Sequence, residues 1–213
     1  NAAGQAARSQ EASFIKAYHA LMNQLSADEA VIFADAVHPT HAVRPVGCWA
    51  PKEVPVAVEQ SSGRDRLNIH GAVDLETGQT IMKDVLTVDA LSTIMLLMAI
   101  EATYPGMRWI HVFLDNARYH HAKLVQAWLA QPGRRIKLHF IPAYCPHLNP
   151  IERLWGLMHR HTTHNKCYSS FKDFSIAMLN FVRDDVPSKW RTYCDEVTDN
   201  FRVIDPKKFR IIV

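Results

Sequence analysis

Apolar residues recur with a helical period near both ends of the chain. In the segment SQEASFIKAYHALMNQL (9–25) they are spaced by four, three and four residues, at Phe14, Tyr18, Leu21 and Leu25. In SFKDFSIAMLNFVRD (170–184) a similar stripe consists of Phe171, Phe174, Ile176, Met178, Leu179 and Val182. Both patterns predict amphipathic helices that pack against a core with one face.

Between these helices, short apolar segments alternate with turns and with longer apolar segments. Segments typical of strands are 30–39, 46–51, 66–75, 80–86, 108–117 and 135–143, and segments typical of helices are 88–106 and 120–133. The turn ETGQ predicts a hairpin early in this series, and helix and strand then alternate. This order predicts one mixed α/β domain, with about five strands and helices on both faces of the sheet. The two most apolar strands, 108–117 and 135–143, are expected in its centre.

Composition narrows the class of protein. The chain has 213 residues, of which 48% are apolar, so it can bury one substantial core. Its longest apolar run, IMLLMAI (94–100), is too short to span a membrane. Since the chain begins with Asn and without an initiator Met, we expect a fragment or a processed form.

Cysteine and histidine usage argues against a disulfide framework and a zinc protein. The cysteines are scattered without C-x-x-C spacing, and the 12 histidines match no zinc motif. A reducing compartment therefore fits best. The net charge of +3 is small, although basic residues cluster at 133–135, 159–166 and 206–210. Such clusters are compatible with nucleic acid but do not require it.

The segment IPAYCPHLNPIERLWG (141–156) contains three prolines just before a helical pattern. Prolines at 142, 146 and 150 exclude a regular helix or a central strand there. Asn149 is a favourable N-cap, and Pro150 suits the first helical position. Glu152 then lies in the first turn, where the helix dipole favours an anion. A capped helix start alone is sufficient to explain this local pattern.

Two predicted strands end in an aspartate, VIFAD at Asp35 and HVFLD at Asp115. Either one alone is typical of a turn or a helix cap. Ligands of α/β sheets bind beyond the carboxyl ends of strands. If the two strands are neighbours, both aspartates lie at that edge, and the proline segment would place Glu152 beside them. Three clustered carboxylates repel one another unless a hard cation such as Mg²⁺ neutralises them. Asp74 is a competing acid, but it precedes a turn and a structural role is expected.

Three sequence blocks resemble a known family. FADAVHPTH, VFLDNARYHHAK and PAYCPHLNPIERLWG are similar to the catalytic blocks of the Tc/mariner superfamily of DDE transposases, most closely to its bacterial insertion-sequence branch. The resemblance extends from about residue 10 to 190, and 36 residues separate Asp115 from Glu152, as is typical of the family. Two departures are Cys145, where Ser is common, and the lack of a counterpart to the family's N-terminal helix-turn-helix domains.

The resemblance implies an RNase H-like fold with Asp35, Asp115 and Glu152 as catalytic, metal-binding residues. Two Mg²⁺ ions, for which Mn²⁺ can substitute, would act on one phosphodiester. Asp35 would bridge both ions, and Asp115 and Glu152 would each hold one. Hydrolysis would free transposon ends, and strand transfer would join them to target DNA at a TA dinucleotide. A homodimer or larger assembly on DNA and a cytoplasmic, nucleoid-associated location are expected.

Domain boundaries follow from the same reading. Residues 1–29 would form an N-terminal helix leading into the core, 30–185 the RNase H-like catalytic domain and 186–213 a C-terminal tail.

Supporting roles are less specific. Asn116 and His120 would orient a water or a phosphate, or else cap the helix 120–133. His159 follows Glu152 by seven residues, on nearly the same helix face, where it would reach the scissile region. The alternative is a solvated histidine. Candidate phosphate contacts, each equally explained as a surface charge, are Lys52, Arg118, Lys123, Arg153, Arg160 and Lys166.

Two rival functions remain open at this stage. One keeps the fold and the cations in a DNA nuclease without strand transfer. The other is a domesticated DNA-binding module that no longer cleaves. The complete acidic triad argues against the second, because a retired site has no physical reason to keep three converging carboxylates.

Overall fold

A mixed sheet with helices on both faces makes up the computed structural model, which describes residues 2–47, 49 and 64–201. The strands are β1 (Glu29–Val37), β2 (Ile69–Asp74), β3 (Thr80–Asp84), β4 (Trp109–Leu114) and β5 (Ile136–Phe140). The main helices are α1 (Ala2–Gln24), α2 (Ala90–Thr103), α3 (Lys123–Leu129), α4 (Ile151–Thr162) and α5 (Phe171–Asn180). Shorter helical turns are Arg118–His121, Pro146–Leu148, Phe181–Asp185, Val186–Ser188 and Trp190–Tyr193. None of the helices within these described ranges is long and apolar enough to cross a membrane.

The strand order is β3-β2-β1-β4-β5. β2 pairs with β3 and with β1 in antiparallel fashion, whereas β1, β4 and β5 are parallel to one another. Phe33 of β1 lies opposite Phe113 of β4, so both strands reach the same edge of the sheet together. The predicted hairpin and the predicted five-stranded mixed sheet are confirmed.

The predicted centre of the sheet is only half right. β4 is internal, but β5 is an edge strand, as is β3 on the other side, and β1 is central. β5 has only one apolar face. Ile136 and every second residue after it pack toward the helices. On the other face, Lys137 lies over the Trp109 ring. The apolar composition of 135–143 therefore indicated one well-covered face rather than a central position.

Two cores lie on opposite faces of the sheet. Phe33 packs with α1, α4 and α5 on one face, in a cluster that includes Tyr18, Leu154 and Phe174. Its neighbours Ile32 and Ala34 face the other side, where they meet α2 and α3. This alternation is the two-residue period of a strand buried on both faces.

α2 is the most apolar helix, and its start is well defined. Asp89 accepts a hydrogen bond from the Ser92 backbone N–H, and the Ser92 hydroxyl contacts the Asp89 backbone in return, which is a capping box. Leu96, Leu97 and Ile100 are buried against the sheet. The predicted helix 88–106 is thus confirmed as a helix that covers a sheet face.

Other predicted elements differ in extent. Of 46–51, residues 46, 47 and 49 are not in a strand, and the rest of that segment lies outside the described residues. The helix predicted over 120–133 is divided, because Ala122 is extended (φ −58°, ψ 143°) between a 3-10 turn and α3. The α-helix predicted over 170–184 ends at Asn180 and continues as a π-helical turn.

The hydrophobic core extends past both predicted domain boundaries. Tyr18, before residue 30, and Val186 and Tyr193, after residue 185, are buried in the same cluster as Phe33. The division at 29/30 and 185/186 stays a prediction, but the flanking segments contribute to the core of the central one.

Gly71 lets Trp155 of α4 pack directly against the sheet. It lies opposite Asp35 in the β1–β2 register. A Cβ placed on Gly71 would be 2.4 Å from Met82 Sδ and 2.8 Å from the Trp155 ring, both shorter than real contacts. Because Trp155 is buried and cannot retreat, the absence of a side chain at 71 sets the position of α4 on the sheet.

We expect Gly71→Ala to lower the free energy of unfolding by about 1–3 kcal/mol, because the added methyl overpacks Trp155 and Met82. Gly156→Ala is the matched control on α4, where a Cβ meets nothing within 4 Å. The control should raise the free energy of unfolding by up to about 1 kcal/mol through helix propensity. Urea denaturation measures both, and equal effects of the two substitutions would contradict the packing argument.

Candidate active site

Asp35, Asp115 and Glu152 line one cavity of about 290 Å³. Asp35 lies near the end of β1, Asp115 directly follows β4, and Glu152 lies in the first turn of α4. Parallel pairing of β1 and β4 brings the two aspartates to the same edge of the sheet, as the sequence predicted. The remaining wall is formed mainly by the segment 141–149.

Asp35 is held by the same helix that carries Glu152. The indole Nε1 of Trp155 donates a hydrogen bond of 3.0 Å to Asp35 Oδ2. Next to it, Asn149 Nδ2 donates a bond of 3.2 Å to the carbonyl oxygen of Ala34. Trp155 and Asn149 flank Glu152 in sequence. Their two hydrogen bonds therefore fix the start of α4 against the end of β1.

Asp115 is held from the other side of the sheet. The buried His120 places Nε2 3.1 Å from Asp115 Oδ1, and the Ala117 backbone N–H donates to the same oxygen. His120 Nδ1 lies 3.4 Å from the hydroxyl of Thr93 in the first turn of α2. A chain of polar contacts therefore connects Asp115 to the start of α2.

The three carboxylates have different proton affinities. Burial, and then the charges of Glu152 and Asp115, raise the pKa of Asp35 to about 7 against the opposing hydrogen bond from Trp155. Partial loss of water at its carboxylate and the charge of Asp115 raise the pKa of Glu152, although the residue as a whole is exposed. The hydrogen bond from His120 lowers the pKa of Asp115.

The donor set fits a hard divalent cation by its chemistry. Carboxylate oxygens are the ligands that Mg²⁺ prefers, and a cation would relieve the repulsion that raises the pKa values of Asp35 and Glu152. Within residues 2–47, 49 and 64–201, however, no three acidic, His or Cys side chains are grouped closely enough to hold one ion. Mg²⁺ is commonly bound by one or two carboxylates, with water and phosphate as its other ligands.

The proline segment forms the rim of the cavity. Its backbone is fixed by bonds from Leu148 N to Cys145 O and from Asn149 N to Pro146 O, in a 3-10 turn. The predicted capping role of Asn149 is wrong, because its side chain bonds to Ala34 and leaves the helix start without a side-chain cap. Pro150 does adopt helical dihedral angles directly before Ile151, as expected of a proline at a helix start.

The supporting residues have separate positions. Asn116 lines the cavity, and its Oδ1 lies 2.5 Å from His121 Nε2. His120 contacts Asp115 and does not cap α3. His159 is buried beside the Thr163 hydroxyl and does not line the cavity, and burial lowers its pKa to about 4. It is therefore neither a solvated histidine nor a cavity residue.

The basic candidates fall into two groups. Arg118 and Lys123 are exposed on the segment after Asp115, and their side chains make no hydrogen bond or ion pair with another described residue. The others bond within the molecule: Arg153 to the carbonyls of Thr198 and His147, Arg160 to Glu196, and Lys166 to the carbonyl of His161. Lys52 and the basic cluster 206–210 lie outside the described residues.

Asp74 has the structural role expected of it. Its carboxylate accepts hydrogen bonds from the backbone N–H groups of Glu76 and Thr77 and from the Tyr104 hydroxyl. It therefore closes the hairpin turn and does not line the cavity.

Comparison with known proteins identifies the class. Residues 30–175 match the family of DDE superfamily endonucleases. The match covers more than half of the chain, so the protein belongs to this family.

The chain is similar to an insertion-element protein and, in fold, to Mos1 structures. The uncharacterized 39 kDa protein of insertion element IS630 from Shigella sonnei is 26% identical over 172 residues, which are 80% of this chain and 50% of that protein. The crystal structure of the Mos1 strand transfer complex has a TM-score of 0.62 at 13% identity, covering 92% of this chain and 63% of the Mos1 chain. For the Mos1 mariner paired-end complex with Mn, the TM-score is 0.60 at 16% identity, covering 92% and 64%.

These matches confirm the resemblance to the Tc/mariner superfamily and its insertion-sequence branch, as well as the RNase H-like fold. The chain spans about half the length of the insertion-element relative and less than two thirds of the Mos1 chains.

The raised pKa of Asp35 predicts how pH affects stability without a divalent cation. Because the folded state binds this proton more tightly than the unfolded state, Asp35 lowers stability as pH rises from about 4 through about 7. Asp35→Asn removes that loss. In EDTA the variant should match wild type near pH 4 and exceed its free energy of unfolding by about 3–4 kcal/mol at pH 8.

Urea denaturation across this pH range measures the difference. Titrations of groups that do not interact with Asp35 cancel, whereas Glu152 and Asp115, whose charges act on Asp35, contribute to the same electrostatic difference. A difference between Asp35→Asn and wild type that stays constant with pH would contradict the electrostatic account of the site.

Proposed function

We propose that this chain is the catalytic domain of a transposase, which hydrolyses DNA phosphodiester bonds and transfers DNA strands with divalent cations. The observation that supports this most directly is the meeting of Asp35, Asp115 and Glu152 in one cavity of a chain that belongs to the DDE superfamily endonucleases. The proposed catalytic unit is 30–185, with the helix of 1–29 and the segment 186–213 flanking it.

Two Mg²⁺ ions, or Mn²⁺ in their place, are the proposed cofactors. Asp35 and Asp115 would hold one ion, and Asp35 and Glu152 the other. Bound there, the ions would supply Lewis-acid stabilisation of the attacking and leaving oxygens of a phosphodiester. Relatives of similar fold include Mos1 paired-end complexes crystallised with Mn and with Mg.

The chain's own residues supply position. Trp155 holds Asp35 by its hydrogen bond, and His120 holds Asp115, so both carboxylates are oriented before DNA arrives. Asn116 on the cavity wall is proposed to orient a water or a phosphate oxygen. No nucleophilic side chain is needed, because water or a DNA 3′-hydroxyl attacks the phosphate directly.

The proposed partner is DNA, at transposon ends and at a TA target. Mos1 relatives are paired-end and strand transfer complexes, which supports action as a homodimer or larger assembly. A cytoplasmic, nucleoid-associated location follows from this partner.

Substitution of the triad tests the catalytic assignment. We expect Asp115→Asn and Glu152→Gln to lower Mg²⁺-dependent cleavage and joining of DNA by at least about a hundredfold, because each removes a charged ligand. Asp184→Asn, an exposed acid outside the cavity, should retain wild-type activity. Gel assays on uncut and pre-cut DNA ends measure both reactions.

Each result of this assay has a distinct meaning. Activity that survives Asp115→Asn would refute the assignment of the triad. Metal-dependent cleavage without any joining would instead favour the nuclease function. Failure of both reactions in wild type would refute the enzymatic proposal for this chain.

Phosphate contacts can be separated from structural charges by salt dependence. Arg118→Ala should reduce the slope of log affinity for duplex DNA against log salt by about 1, because one phosphate contact is lost. Arg160→Ala is the matched control, since Arg160 is exposed but paired with Glu196. Fluorescence anisotropy at several salt concentrations measures both slopes. An unchanged slope for Arg118→Ala would exclude the contact.

A further inference from the structure

Tyr144 is an exposed aromatic residue at the rim of the cavity. Its side chain is 100% exposed, and it is one of the residues that line the cavity with Asp35, Asp115 and Glu152. Its backbone has φ 62°, in the left-handed region that bulky side chains rarely adopt.

Folding gives no reason for this conformation. Within the described ranges, the Tyr144 ring makes no aromatic contact, and its hydroxyl makes no hydrogen bond with another residue. Asn165 is the contrasting case, with φ 54°. Its side chain bonds to both the N–H and the carbonyl of Val46, and Asn tolerates this region well. Tyr144 therefore occupies an unfavourable conformation without a compensating internal contact, a feature that points toward function.

The loop restricts the backbone that carries this ring. Pro142 and Pro146 restrict the chain on both sides of Tyr144, and the 3-10 turn after Cys145 is closed by two backbone hydrogen bonds. Ile141, Pro142, Ala143 and Pro146 line the cavity next to Tyr144, and together they make one wall of the site apolar. The three carboxylates also line this cavity.

A planar, exposed ring beside an apolar wall suits a nucleobase. Stacking on an aromatic side chain needs no hydrogen-bond pattern, because every base has a π-face. Cationic side chains usually accompany such rings to contact the phosphates, and Arg118 and Lys123 are exposed on the segment after Asp115.

We infer that the Tyr144 ring stacks on an unpaired DNA base next to the phosphate that the acidic triad receives. This inference rests on the proposed function. At a DNA end where the two strands are separated, the base next to that phosphate is unpaired, and the ring covers this base. The fixed loop lets Tyr144 do so without first ordering a flexible segment.

The test uses a DNA probe that reports stacking. A short duplex with a single-stranded 3′ overhang carries 2-aminopurine as its first unpaired base, in Mg²⁺ buffer with no target DNA. Stacking quenches the fluorescence of this base. Binding is followed by anisotropy on the same duplex, and a blunt duplex serves as the control substrate.

Two variants separate the ring from the loop. Tyr144→Gly removes the ring but adopts the left-handed backbone without penalty, so the loop is kept. Tyr144→Phe keeps the ring and loses only the hydroxyl. We expect Tyr144→Phe to quench like wild type. Tyr144→Gly should lose quenching, bind the overhang about tenfold more weakly and bind the blunt duplex normally. Its free energy of unfolding should equal or exceed that of wild type.

Three outcomes would overturn the inference: no quenching in wild type, unchanged quenching in Tyr144→Gly, or loss of quenching in Tyr144→Phe. The catalytic assays with Asp115→Asn are independent of this readout. Quenching that depends on the ring would support the inference even if wild type neither cleaved nor joined DNA. Metal-dependent cleavage with unchanged quenching in Tyr144→Gly would refute the inference and leave the proposed function standing.

Discussion

The hydrogen bond from Trp155 to Asp35 connects the two parts of the molecule on which the site depends. Asp35 belongs to the central strand, and Trp155 lies one helical turn after Glu152, so the bond sets the distance between two carboxylates from different layers. The bond exists only because Gly71, opposite Asp35, leaves room for the indole. A glycine on β2 therefore contributes to this geometry, although it does not line the cavity.

Bringing the carboxylates of the site together is electrostatically unfavourable in the folded protein. Asp35 and Glu152 repel each other and lose water, and both of their pKa values rise. The surrounding core, which includes Phe33, Leu154 and residues from both flanking segments, supplies the stability that keeps them together. Clustered acids of this kind are stable in a fold when packing elsewhere overdetermines their position, and a cation then finds a site whose repulsion it can relieve.

Much of this arrangement could be predicted from the sequence, and the exceptions have physical causes. Strand ends and the helix start located the triad because strand period and proline chemistry are local properties. The edge position of β5 could not be predicted from local sequence, because it depends on which strand pairs with β1. The hydrogen bond from Trp155 to Asp35 could not be predicted, because the direction of an indole N–H depends on the partner strand. Likewise, burial of His159 beside Thr163 reflects how α4 turns on the sheet, which spacing from Glu152 does not determine.

The three carboxylates are unequal, and this inequality has a consequence for binding. Asp115, with its lowered pKa, is ionised at neutral pH, whereas Asp35 still holds a proton in part of the molecules. In the proposed function Asp35 is a metal ligand, and a metal ligand must be deprotonated. Binding of the proposed cation would then release the proton of Asp35, and the affinity for the cation would rise with pH up to about 7. His120 and Trp155 therefore act on the same equilibrium through their separate hydrogen bonds, since each lowers the pKa of its own aspartate. The contacts that position the acids also favour the ionised forms that a cation requires.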